Sequence, residues 1–313
     1  MNAFYTAHLA PFVIDKHISF AQQGSSDDGG LWVAHISNAH GTASICLQGA
    51  HLMHWYPKEQ NSPVVWMSQA TNMAQGKSIR GGVPVCWPWF GAHASEANFP
   101  AHGFARTVPW QVISSRALDD GSTEIAFTLQ PSDATRAQWP YDSQVSLLVN
   151  VGKTLKMALT TRNTGSTEFS ITEALHTYFH ISDIGSVRVT GLDNTAFMDK
   201  AAGGVRGQQL GDITFNQEFD RVYVNSSSAC VIEDATLKRH IHINKIGSQS
   251  TVVWNPWQDK ADKMGDMGAG SKGQSGWREM LCVESANALE NAVAIAAGKS
   301  HTLAVEYSVH SLA

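Results

Sequence analysis

Residues 144–160 read QVSLLVNVGKTLKMALT. Their apolar positions fall at every second residue: Val145, Leu147, Val149 and Val151, then, after a Gly152-Lys153 turn, Leu155, Met157 and Leu159. A period of two puts successive side chains on opposite faces of a strand, so this stretch reads as a hairpin with one buried face. The alternation recurs outward in both directions, at Ile125, Phe127 and Leu129 and again at Leu303, Val305, Tyr307 and Val309. Half-buried strands joined by short turns mark antiparallel sheets packed face to face. The stretch best suited to a helix, the Ala-rich Ser285 to Ala297, has no apolar stripe at 3.6-residue spacing. The expectation is an all-β chain: a large antiparallel β-sandwich forming a single domain over residues 1–313, since all-β domains often run long.

Composition narrows the function. The 313 residues carry 22 Lys+Arg against 27 Asp+Glu, a net charge of -5, with 10 Trp and 14 His. A nucleic-acid binder would show a basic stripe, and none is present. No apolar run reaches the ~18 residues of a membrane span, and Met1 to His8 lacks the pattern of a signal peptide. Cys46, Cys86, Cys230 and Cys282 are scattered without a C-x-x-C pair, so buried free thiols are expected. A cytoplasmic monomer is the economical expectation.

Two stretches break the strand rhythm. Residues 79–91, IRGGVPVCWPWFG, combine Gly81-Gly82 with Pro84 and Pro88, a composition no regular strand tolerates. They read as a shaped loop that holds Arg80 in place, with Trp55, Trp87 and Trp89 shaping the loop and a pocket wall. Residues 259–276 are rich in Gly, Lys, Asp, Ser and Met and read as a mobile excursion able to serve as a lid.

Several groups could carry chemistry. In TEALHTYFHI, residues 172–181, His176, Tyr178 and His180 share one strand face, which suits either a ligand-holding surface or a solvent-facing strand. Glu284 follows the apolar Leu281-Cys282-Val283. It reads as a desolvated base at a strand end, or as the start of the Ala-rich stretch. Arg80 and Arg106 lie beside Gly-rich backbone and suit a phosphate or carboxylate, or an ion pair with Glu96 or Asp220. Asp220, placed in a loop after Phe215, is weak evidence alone. His240 and His242 share a face of RHIHIN, but no third ligand follows at a recognisable spacing, so no metal site is expected. There is no P-loop, Rossmann fingerprint or G-x-S-x-G, and no cofactor is expected.

The ordered segments IRGGVPVCWPWFG, AHGFARTVPW, EALHTYFHI, FDRVY, VVWNPW and CVESAN together resemble the hexose-6-phosphate mutarotases. These are the glucose-6-phosphate 1-epimerases, relatives of the aldose 1-epimerases (galactose mutarotases). The resemblance runs roughly from Trp55 to Ala288 and implies a galactose mutarotase-like β-supersandwich. It implies His176 as general acid and Glu284 as general base. It also implies that His102 and Asp220 hydrogen-bond the sugar and that Arg80 and Arg106 receive the phosphate. Where many members carry Phe-Pro after the IRGG turn, this chain has Trp87-Pro88, which would alter the pocket wall more than the chemistry.

The implied reaction is exchange of the α and β anomers of a hexose 6-phosphate, with acid and base on opposite sides of the C1–O5 unit. A mutarotase of unphosphorylated aldoses and a non-catalytic carbohydrate-binding protein are the alternatives. A glycosidase fits less well, since those enzymes usually need two carboxylates.

Overall fold

In the computed structural model, which describes residues 7–24, 30–271 and 273–312, the central hairpin forms as its alternation requires. Ser143–Val151 pairs antiparallel with Leu155–Asn163, with Val151 opposite Leu155 across the turn. Val145, Leu147, Val149, Val151, Leu155, Met157 and Leu159 are all buried. Burying a side chain of this kind is worth about 1.5–3 kcal/mol, so one apolar face per strand suffices to hold the sheet against a partner.

That hairpin lies inside an eight-stranded antiparallel sheet. Its order is Arg188–Thr190, Cys230–Asp234, Arg239–Ile246, Ser300–Ser311, Leu155–Asn163, Ser143–Val151, Thr123–Leu129 and Trp110–Ala117. A second eight-stranded sheet runs Val205–Gln208, Ala196–Asp199, Phe219–Tyr223, Ser250–Asn255, Met280–Asn287, Glu173–Leu175 and Val85–Cys86, with Tyr178–His180 also paired to Met280–Asn287. The two sheets meet through side chains. Phe179 meets Tyr307 edge-on at 5.1 Å, the Thr177 and Tyr307 hydroxyls lie 2.6 Å apart, and Trp87 donates from Nε1 to Thr161 Oγ1 at 3.0 Å. A four-stranded sheet, Ile18–Gln23, Leu31–Asn38, Gly41–Cys46 and His51–Pro57, completes the main strand layers. The architecture is the antiparallel β-sandwich expected from the alternation.

The Ala-rich stretch from Ser285 is not a helix. Small side chains let Ser285, Ala286 and Asn287 continue the strand between Ser250–Asn255 and Glu173–Leu175. A 3-10 turn at Leu289–Asn291 and a strand at Val293–Ile295 follow. Helices occur instead at Asp133–Gln138, where Ser132 and Thr135 cap each other reciprocally, and at Trp257–Met264. No described helix is long and apolar enough to cross a membrane. All four cysteines are free and buried.

Candidate active site

Met280–Asn287 is buried on both faces, and its parity decides which side chains reach the site. Tyr178–His180 pairs with it, and Phe179, opposite Leu281, points to the facing sheet; the even-numbered residues therefore point away from the sandwich core. In register, Asp220 faces Trp254, Trp254 faces Cys282, and Cys282 faces Tyr178. Directly opposed residues share a face, so these four make one row across four strands. Glu284, opposite Val252, stands in the next row.

His176 sits in the break between Glu173–Leu175 and Tyr178–His180. Its N–H donates to the Pro84 carbonyl at 3.0 Å, and the adjoining Thr177 is held by Tyr307. The imidazole Nε2 lies 3.3 Å from Glu284 Oε1. Its ring stacks on Tyr178 at 5.0 Å, Tyr178 stacks on Trp66 at 5.9 Å, and Trp254 stands edge-on to both. Glu284 is 1% exposed and His176 9%. His176 Nδ1 and Glu284 Oε2 are buried without a hydrogen-bond partner among the described residues. Buried polar atoms are almost always satisfied, so each of these two is open to a partner that the described residues do not supply.

The loop 79–91 supplies the rim. His51 fixes its turn: Nε2 donates to the Gly81 carbonyl at 2.9 Å, which sets the tautomer. Gly82, at φ +69, has no room for a side chain against that ring and the Leu52 carbonyl. Arg80 is thereby presented at the site, only partly exposed. It donates from Nη1 to the Tyr178 hydroxyl at 2.8 Å and from Nε to Asp266 Oδ2 at 2.9 Å. His102, at φ +66, follows from the next loop, its ring 5.7 Å from that of His176. Arg106 donates from Nη2 to the Ala101 carbonyl at 2.8 Å, while its buried Nε has no partner among the described residues. Asp220 lies 3.8 Å from Lys260 Nζ, and its carbonyl accepts from the Lys200 N–H.

These charges tune the pair. Burial, then His102, Arg106 and Arg80, hold His176 well below the ordinary imidazole value of 6.5. Burial drives Glu284 well above the ordinary 4.5, with Asp220 adding to the rise and Lys200 and Arg106 opposing it. His102 falls to about 3, through burial and then Arg106, Lys200 and Arg80. Asp220 is raised by burial, against Lys200 and Lys260. The floor is desolvated and the rim positive, the field of an anion-receiving site.

His176, Cys282 and Glu284 also bring donor atoms within 4.8 Å of one another, the ligand types of a soft metal. Burial holds the Cys282 thiol well above its ordinary value, so it stays protonated. The cations of the rim further oppose an added one.

The six residues to which the resemblance assigns roles converge here, with differences in how they arrive. Glu284 lies mid-strand, not at a strand end, which deepens its burial. Asp220 belongs to the strand Phe219–Tyr223, not to a loop. Arg80 pairs with Asp266, not with Glu96 or Asp220. The His176–Glu284 pair stands side by side, not on opposite sides of a ligand-sized gap. His180 leaves the group: its ring and carbonyl meet the buried Arg239.

The aromatic wall also differs. Trp87 (2% exposed) and Trp55 (0%) are core residues, because Trp87 hydrogen-bonds across the sandwich, and Trp89 packs on Phe99 and Phe104. Trp66, Tyr178 and Trp254 line the site instead.

The described residues of the run 259–276, all but residue 272, are tied to the rest of the molecule at several points. The run begins inside the helix Trp257–Met264, whose start is stapled by Asn255. That side chain accepts from the Trp257 N–H and donates to the Trp277 and Met280 carbonyls. Asp266 then reaches Arg80, and its carbonyl accepts from Ser68 Oγ at 2.6 Å. Lys200 and Asp266 complete the site without having been assigned a role from the sequence, and Tyr178 joins it as the strand reading allowed.

Comparison with known proteins identifies the family and the fold. The aldose 1-epimerase family profile matches residues 33–308. A Salmonella typhimurium protein named "Putative glucose-6-phosphate 1-epimerase" is 40% identical over 244 residues, 78% of this chain and 79% of its own. An Escherichia coli protein of the same name is 40% identical over 249 residues, 79% of this chain and 80% of its own. Among solved structures, a "putative mutarotase" from Salmonella typhimurium matches with a TM-score of 0.86 at 36% identity, covering 96% of each chain. A galactose mutarotase-like protein from Lactobacillus casei shares the fold, with a TM-score of 0.69 at 16% identity over 89% of this chain and 100% of its own. The chain belongs to the aldose 1-epimerase family.

Proposed function

We propose that the protein interconverts the α and β anomers of a hexose 6-phosphate, glucose 6-phosphate foremost, with His176 and Glu284 as the catalytic pair. The observation that carries this reading is the buried pair at 3.3 Å, each partner with an unpartnered atom, beneath a rim holding Arg80 and Arg106.

The two oxygens of a hemiacetal, O1 and O5, are bonded to the same carbon, so acid and base must address neighbouring atoms. Side chains standing side by side suit that demand. Glu284 takes the proton of the O1 hydroxyl while His176 delivers one to O5. The C1–O5 bond breaks, O1 becomes the aldehyde oxygen, and O5 becomes a hydroxyl. Rotation about C1–C2 presents the other face, and reclosure returns both protons by the reverse transfers. The pair ends as it began, and no electron leaves the sugar.

Burial lowers His176 and raises Glu284, so the proton the pair shares rests on Glu284, and its transfer to His176 sets up the ionised base and protonated acid that the reaction uses. His102 and Asp220 are placed to hold ring hydroxyls. Arg80 and Arg106 provide planar donors for the phosphate.

Saturation-transfer NMR of anomer exchange tests the assignment. Glu284→Gln and His176→Ala are each expected to slow exchange by about 10²–10⁴-fold. Full activity in both variants would remove the pair from the mechanism. Arg80→Ala is expected to lower kcat/KM for glucose 6-phosphate far more than for free glucose. If the phosphorylated sugar has no advantage in the parent enzyme, the substrate is a free aldose. Binding without acceleration would mark a carbohydrate-binding protein.

A further inference from the structure

The sheet that holds the central hairpin carries a patch of three imidazoles on its outer face. His240 and His242 alternate with Ile241 and Ile243 on Arg239–Ile246; the isoleucines are buried in the core, so both rings project outward. Strand pairing then supplies what spacing along the chain does not. His240 stands directly opposite His310 on Ser300–Ser311, and His242 stands opposite Ser308. Opposed residues share a face, so His310 joins the pair.

The His242 and His310 rings lie 4.5 Å apart between centroids, and those of His240 and His242 lie 6.5 Å apart. His310 Nε2 is 3.4 Å from the Ser308 hydroxyl. On the far flank His240 faces Glu233, whose carboxylate is paired with Arg188, so the nearby guanidinium is already neutralised.

We propose that His240, His242 and His310 bind a divalent transition-metal ion of the class that prefers imidazole nitrogen, such as Zn²⁺ or Ni²⁺, with water completing its shell. Three imidazoles on two adjacent strands form the donor set such ions take, and a mixed shell of protein nitrogen and water suits an exposed position. Closing the shell requires the side chains to rotate toward one another, and His310 is exposed. The site lies on the sheet opposite the one that carries Glu284 and is independent of the proposed reaction.

Isothermal titration calorimetry of the untagged chain with zinc chloride at neutral pH tests this. One ion per chain is expected. His242→Ala should abolish binding, and His240→Ala or His310→Ala should weaken it at least about tenfold, since even residues supporting a ligand cost that much. Anomer exchange should be unchanged in all three. His242→Gln, which keeps the side chain's bulk, is the second variant: Zn²⁺ should raise the melting temperature of the parent and not of this variant. Parent-like binding by His242→Ala and His310→Ala would overturn the proposal. So would absence of binding by the parent, or loss of binding in Cys282→Ala, which would place the ion beside His176 and Glu284.

Discussion

His176 and Glu284 titrate as a unit, and the apparent values belong to the pair. In the proposed mechanism the active form holds one proton between them. A second proton, on His176, stops the reaction in acid; loss of the last, from Glu284, stops it in alkali. Because His176 is lowered, the acid limb of kcat/KM should lie below 6.5; because Glu284 is raised, the alkaline limb should lie above 4.5. Arg106→Ala removes one cation that depresses His176 and should move the acid limb upward. A limb at or above 6.5 in the parent, or one that ignores Arg106, would contradict the electrostatic picture. At this scale the sequence was informative where chemistry-bearing residues stand in motifs. Lys200 was not legible: it lies in an ordinary turn after Ala196–Asp199 and meets Asp220 only through strand pairing. Asp266 was hidden in a low-complexity run.

Alternation identified the strands well, because one buried face leaves an unambiguous trace. It could not give direction inside a Pro- and Gly-rich loop, and Trp87 was assigned to the wrong side for that reason. What shapes that loop is backbone packing. Gly103, at φ +70, packs against the Trp87 carbonyl so closely that a Cβ would collide with it. Gly103→Ala should therefore lower stability by at least about 2 kcal/mol, combining a disfavoured φ with a clash. It should also reduce anomer exchange, since His102 is the adjoining residue. Urea unfolding measures the first, and unchanged stability would mean the two loops do not depend on each other. The run 259–276 failed to read as structure because its anchors, Asn255, Ser68 and Arg80, lie elsewhere in the chain.

Across the whole molecule, the wealth of histidine sets a limit on stability in acid. His51 is fully buried and neutral, lowered to about 4 by burial. The unfolded chain takes a proton at the ordinary 6.5 while the folded one refuses it. Stability from this residue is complete above 6.5 and is lost as pH falls through about 4, roughly 3 kcal/mol in all. His102 acts in the same direction down to about 3. Denaturant unfolding at a series of pH values should show stability declining steadily below 6.5, with a shallower slope in His51→Gln. An identical slope in that variant would assign the decline to other groups.

Arg80 meets its ligand already occupied. On the proposed function, a phosphate arriving there would replace the Asp266 carboxylate, so binding would be an exchange of anions at one guanidinium. Screening by salt weakens the incoming and outgoing contacts together, and most of its effect cancels. The Michaelis constant for the phosphosugar should accordingly vary little with ionic strength. In Asp266→Asn the competitor is gone, affinity should rise at low salt, and the dependence on salt should steepen. A chain of net charge -5 would thus recognise a dianion by keeping a removable counterion of its own beside it.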